Sequence, residues 1–182
     1  MKAGETVRTF CAKDGHKVTL RTLRWEDLDD MLEMINSLVE EKADIIRDTL
    51  VTREEEIEWL SRALVRQEKN ETIHIVAEVN GRAVANSEIT RLSGYEKHVG
   101  MIGIAIKNGF REVGIGTEMM RTLIELGKKM DLKVLELSAF ANNERAIHVY
   151  EKIGFVETGK VPKKFYKEGK YIDETRMVLL LG

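Results

Sequence analysis

Apolar and polar positions divide the chain into segments whose period changes along its length. Thr6 to Ala12 and His16 to Leu23 are β-rich and flank Asp14-Gly15, a pair that tolerates positive φ, so the pattern predicts an opening hairpin. From Trp25 the spacing becomes helical, with Leu28, Met31, Leu32, Ile35 and Leu38 three or four residues apart. Thr52 and Glu55 form a capping box, and Ile57, Leu60 and Leu64 carry an apolar stripe, which predicts a second helix from about Arg53 to Lys69. Thr72 to Val79 and Ala83 to Arg91 meet at Asn80-Gly81, a strong hairpin signal, and Val99 to Ile106 is a third strand.

After the loop from Lys107 to Gly114, Met119, Met120, Leu123, Ile124 and Leu126 mark a buried helix, and Val134 to Phe140 returns as a strand. That is a β-α-β crossover, so its two strands should be parallel and close together. Asn143 can cap a helix bearing Ala146, Ile147, Val149, Tyr150 and Ile153, which Gly154 stops. Strands from Phe155 and from Lys170 turn at Glu168-Gly169. The order ββααβββαβαββ has neither repeat nor linker, and 182 residues suit one domain spanning residues 1–182.

Composition narrows the classes of function. With 29 basic and 31 acidic side chains the chain lacks the charge excess that grips nucleic acid or an anionic membrane. Its longest apolar runs are far short of the ~20 residues of a membrane span. Cys11 is alone, so nothing requires an oxidising compartment and the cytoplasm fits. His16, His74, His98 and His148 show no metal-ligand spacing, and no metal is expected. Charge is nevertheless uneven: from Glu26 to Glu58 thirteen acids face Lys42, Arg47 and Arg53. Such a run is either a pair of solvated helix faces or a wall that attracts a cationic substrate.

The densest chemistry lies between the third strand and the following helix. Gly114 and Gly116 leave backbone N–H groups uncovered at a helix start, where the dipole is positive, which is a geometry for phosphate oxygens. A side chain at either position would obstruct that approach. The loop lacks the third small residue of a dinucleotide fingerprint and the Gly-Lys-Ser/Thr of a Walker loop.

Arg111-x-x-Gly114-x-Gly116, followed by a helix, a strand and Asn143-x-x-Ala146-x-x-x-Tyr150-x-x-x-Gly154-Phe155, closely resembles the GNAT superfamily of acyl-CoA-dependent N-acyltransferases. Lys164-Phe-Tyr166 and Gly169-Lys-Tyr171-Ile-Asp173-Glu are similar to its phosphinothricin and amino-acid acetyltransferase subgroup. The resemblance implies an α/β (α+β) fold: a mixed, mostly antiparallel central sheet with a splayed parallel strand pair and flanking helices. It also implies acetyl-CoA as co-substrate. The backbone amides from about Val113 through Gly114, Ile115 and Gly116 to Thr117 would hold the pyrophosphate, with Arg111 beside it and Glu112 also at the cofactor. Ile104, Ala105 and Ile106 would pair with the pantetheine arm, and a backbone N–H among them could steady the oxyanion. Asn143 would hydrogen-bond the arm, and Arg145 or Lys152 could meet the adenosine phosphates.

By the same resemblance Tyr150 is the general acid that protonates the departing thiolate. Many relatives carry an acidic base where this chain has Met101, so Glu88 on the neighbouring strand is the replacement, with Glu40 and Glu41 more remote. The acyl group should pass directly to a primary amine, since no activated nucleophile sits in these motifs. The expected acceptor is an amino acid or another small-molecule amine. Protein N-termini, lysines or polyamines, and a CoA-binding paralogue without turnover, are the alternatives. The late strands, Lys160 to Tyr166 and Lys170 to Leu181, could support a homodimer.

Overall fold

Local turn chemistry sets the order of the elements. In a computed structural model that describes residues 1–182, the strands are β1 (Thr6–Cys11), β2 (Lys17–Thr22), β3 (Thr72–Val79), β4 (Arg82–Arg91), β5 (Val99–Ile106), β6 (Val134–Phe140), β7 (Val156–Lys167) and β8 (Lys170–Leu180). The helices are α1 (Leu28–Glu40), α2 (Arg53–Glu68), α3 (Ile115–Lys129) and α4 (Glu144–Lys152). Asn80 and Gly81 at the β3–β4 turn, and Glu168 and Gly169 at the β7–β8 turn, all have positive φ, the backbone twist that tight hairpins need. Thr52 accepts from the Glu55 amide at 3.2 Å while Glu55 accepts from the Thr52 amide at 2.9 Å, so the capping box starts α2.

The eight strands form one sheet in the order β1-β2-β3-β4-β5-β6-β8-β7. All neighbours are antiparallel except β5 and β6, which pair in parallel only over Val99–Val134, Gly100–Leu135 and Met101–Glu136. Beyond that point β5 stays with β4 as far as Ile106, and β6 stays with β8 as far as Phe140, so the sheet opens between them. Gly100 is packed at the last tight contact: a Cβ there would lie 2.7 Å from Leu132 and 3.0 Å from Leu135.

Each face of the sheet has its own helices. Leu23, Met31, Leu38, Leu60 and Ala63 pack on Val76 and Ala83 to seat α1 and α2. On the other face Met119, Met120 and Leu123 of α3 pack against Ile75, Ala85, Ile89, Ile102 and Leu135. Two helical stripes differ in phase from the apolar pattern. The inward row of α1 includes Met34 in place of Leu32 and Ile35. That of α2 is Glu56, Leu60, Ala63 and Gln67, leaving Ile57 37% exposed. Polar residues occupy both ends of the α2 row because Gln67 reaches the Leu23 carbonyl and the His74 amide, while Glu56 is buried without a partner side chain.

The start of α1 is fixed by a buried ion pair. Arg21 on β2 grips Asp27 through two contacts, at 2.6 and 2.8 Å, and reaches Glu78 at 2.7 Å. Side chains of Arg21 and Asp27 are 3% and 2% exposed.

Removing one partner strands a buried charge, so Arg21→Met is expected to cost ~3–5 kcal/mol in urea denaturation, with most of it recovered in Arg21→Met/Asp27→Leu. Loss of water pushes the Glu56 carboxyl from 4.5 up to about 7, with Arg47 pulling the other way. A carboxyl raised in the folded state weakens the fold as pH climbs through that interval. Glu56→Gln should therefore stabilise the protein at pH 8 by up to about 3 kcal/mol and have little effect at pH 4.

Candidate active site

The opening between β5 and β6 exposes main chain in the middle of a sheet. The Lys107 amide donates to Val84 on β4, and the Val99 carbonyl also faces β4. Alternation along the strand then turns Ala105 toward β4 and turns Ile102, Ile104 and Ile106 toward the gap. Of the three strand residues expected to meet a pantetheine arm, Ile104 and Ile106 can offer main-chain groups, and Ala105 cannot. The Ile106 carbonyl already accepts from Arg111 Nε at 2.9 Å. Arg111 also forms an ion pair with Glu41 at the end of α1.

At the end of β5 the chain enters the loop that starts α3. Backbone N–H groups from Arg111 to Thr117 donate to no acceptor in the chain. They comprise the uncapped first turn of α3 and the residues before it, with Gly114 at φ 96° as N-cap. An unpaired run of this kind at a positive helix end is an anion cradle. The loop is braced from far away in sequence, because the Lys13 amide in the β1–β2 turn donates to the Val113 carbonyl at 2.9 Å. Glu112 takes positive φ (65°) and pairs with Arg145 at 3.5 Å.

The two glycines do different work. A Cβ at Gly114 meets open space, while one at Gly116 would lie 2.9 Å from Ile106 Cδ1. Gly116 lets α3 approach β5, so its missing side chain is explained by packing before any ligand is considered.

A cavity of about 400 Å³ adjoins the loop, lined by Lys13, Gly114, Thr117, Arg121 and Lys152 among others. Glu118 is also in its wall but is paired with Arg8 at 3.0 Å and Arg121 at 2.7 Å, so cations dominate. Lys152 reaches this cavity, and Arg145 stands outside it with an 81% exposed side chain. Lys13 and Arg121 were not singled out from the sequence. Arg121 follows Thr117 by one helical turn, which is a readable signal, whereas only the folded β1–β2 turn brings Lys13 there. A larger hollow of about 740 Å³, lined by Met1, Lys2, Ala3, Glu5 and Glu68, lies at the amino-terminal segment, away from the loop.

Tyr150 on α4 is nearly buried, against Phe155, among residues that pack under α3. Burial pushes its hydroxyl up to about 12, with no hydrogen bond or charge contributing. Asn143 caps α4 by accepting from the Ala146 amide at 3.2 Å, which leaves its Nδ2 free to donate.

Glu88 lies on the opposite face, beneath α2. It sits between His74 on β3 and Gly103 on β5, its partners in register. Burial pushes its carboxyl above the usual range, and Arg66 opposes that shift. Met101, two residues before Gly103, is half exposed on the same face. Glu40 is exposed at the end of α1, and Glu41 is committed to Arg111.

The acidic stretch is largely neutralised. Asp27, Asp29, Asp30, Glu33, Glu41, Asp44, Glu55 and Glu58 each pair with an arginine or lysine, mostly from outside the segment. Across the chain no cluster of three or more His, Cys, Asp or Glu could hold a metal, and no helix is long and apolar enough to cross a membrane.

Comparison with known proteins accords with this geometry. The L-amino acid N-acetyltransferase AaaT of Escherichia coli (strain K12) is 30% identical over 101 residues, 54% of this chain and 62% of AaaT. The L-amino acid N-acyltransferase MnaT of the same organism is 23% identical over 90% of this chain and 94% of MnaT. A GNAT superfamily phosphinothricin acetyltransferase from Sinorhizobium meliloti, solved in complex with AcCoA, superposes with a TM-score of 0.80 over 91% of this chain and 89% of its own at 18% identity. Residues 31–155 match the family described as acetyltransferase (GNAT), and the chain belongs to that family.

Proposed function

We propose that the protein transfers an acetyl group from acetyl-CoA directly to the primary amine of an amino acid or a closely similar small molecule. The observation that carries this reading is the unpaired run of amides from Arg111 to Thr117 beside the open main-chain edge of β5. A linear ligand with phosphates at one end and an amide-bearing arm matches that pair of features. Acetyl-CoA supplies the acyl thioester. The loop amides, with Lys13, Arg121 and Lys152 around them, receive its phosphates. Ile104 and Ile106 offer main-chain groups to the arm, Asn143 Nδ2 adds a donor, and the Ile104 N–H can meet the carbonyl oxygen as charge builds there.

Glu88 takes a proton from the ammonium group of the acceptor, and Tyr150 returns one to the leaving sulfur. A phenol near 12 facing a thiol near 8.5 makes that donation uphill by about 5 kcal/mol, still small beside a barrier of about 16 kcal/mol for turnover near 10 per second. The amine bears on the acceptor class as well. Freeing a peptide-type α-amino group at pH 7 costs ~1 kcal/mol and a polyamine or lysine amine more than ~4 kcal/mol, and the α-amino group of a free amino acid, held up by its own carboxylate, lies between the two. Pairing of the acidic stretch removes most of the field that would have gathered a polycation.

Tyr150→Phe is expected to lower kcat ~10²- to 10⁴-fold while leaving acetyl-CoA affinity in calorimetry unchanged. An amine panel followed by release of free CoA thiol should rank methionine-like amino acids above spermidine at pH 7 in kcat/KM. A clear preference for spermidine would overturn the acceptor assignment.

A further inference from the structure

Behind Glu88 lies a polar group that the reaction above leaves unused. His74 is buried, its side chain 5% exposed, and its Nδ1 is a buried atom with no hydrogen-bond partner. That Nδ1 lies 3.4 Å from Glu88 Oε2. The other carboxylate oxygen has a different neighbour: a Cβ on Gly103 would sit 3.2 Å from Glu88 Oε1, so the glycine of β5 leaves the space that Oε1 borders. One oxygen therefore faces an interior imidazole and the other faces the strand that opens onto the gap.

The imidazole is itself held. Its ring meets Trp59 of α2 edge-on at a centroid distance of 5.5 Å, and its backbone amide donates to Gln67 Oε1 at 3.3 Å. Loss of water pushes it down to about 4, with the Asn86 side chain on β4 pulling the other way, so it is neutral at working pH and has one N–H to give, for which the unpartnered Asn86 Oδ1 is the rival acceptor. An ionised carboxylate only accepts. Of the two tautomers, the one with hydrogen on Nδ1 pairs the two groups, and the other sets a lone pair against an anion.

We propose that His74 is a positioning residue for Glu88: its Nδ1–H donates to Oε2, fixes the carboxylate rotamer, and leaves Oε1 as the atom that takes the proton of the acceptor. The step balances simply. An N–H bond of the ammonium breaks, an Oε1–H bond forms, and the contact from Nδ1 to Oε2 persists in both states of Glu88. The only further charge on the pair comes from Arg66 of α2, since Gly103 opposite brings none. This inference rests on Glu88 as base, and the experiment separates the two.

The pH profile of kcat/KM for one amino acid acceptor is compared in wild type, Glu88→Gln, His74→Phe and His74→Asn. Phe keeps a ring against Trp59 without a donor, and Asn keeps a donor near Nδ1. The acidic limb that Glu88→Gln abolishes should move up by about one pH unit in His74→Phe, because the charged carboxylate has lost a donor, and should return in His74→Asn. If Glu88→Gln leaves the profile unchanged, the base assignment fails and this inference falls with it. If Glu88→Gln removes the limb while His74→Phe leaves it in place, the base stands and the positioning role is overturned. Nitrogen NMR of labelled wild-type protein gives a reading independent of variant folding: hydrogen on Nδ1 of His74 supports the proposal, and hydrogen on Nε2 overturns it.

Discussion

A sheet with an unpaired edge in its interior has to satisfy main-chain groups that no strand meets, and this fold is arranged around such an edge. Because β5 and β6 each remain with their outer partners, they part after Met101 and Glu136. Other features of the site are arranged about that parting. Arg111 turns back to occupy the Ile106 carbonyl, α3 is drawn close enough that residue 116 has no room for a side chain, and Gly103 leaves space beside a carboxylate. The cofactor reading adds that a substrate supplies the hydrogen bonds a strand would have made.

Charge in the molecule acts over short distances. The acids in and beside α1 are matched to Arg21, Arg82, Lys107 and Arg111, which ties that helix to the sheet and to the loop before α3. Exposed pairs of this kind contribute little each, and their effect is to fix geometry. The buried grip of Arg21 on Asp27 is different, since neither group can recover water if the other is lost.

Much of this was legible because it is local. The Asn80-Gly81 and Glu168-Gly169 turns, the Thr52 capping box and the glycine at the start of α3 are set by neighbours in sequence, and their elements formed with ends shifted by only a residue or two. The phase of α2 was not legible, since Glu56 and Gln67 occupy inward positions that an apolar pattern assigns to Ile57 and Leu64. Gly116 read as a phosphate contact, and its close approach to Ile106 appears only when helix and strand are in place. The neighbours of Glu88 were likewise hidden, because register across three strands decides them.

The brace from Lys13 to Val113 bears on where the working unit begins. The family match spans residues 31–155, and the hairpin that steadies the anion loop lies wholly before it. A segment cut to the region of similarity would retain the glycines and lose what holds them still. For this chain the boundary of the family match and the boundary of the mechanical assembly are different, and grafting or trimming the domain has to follow the second.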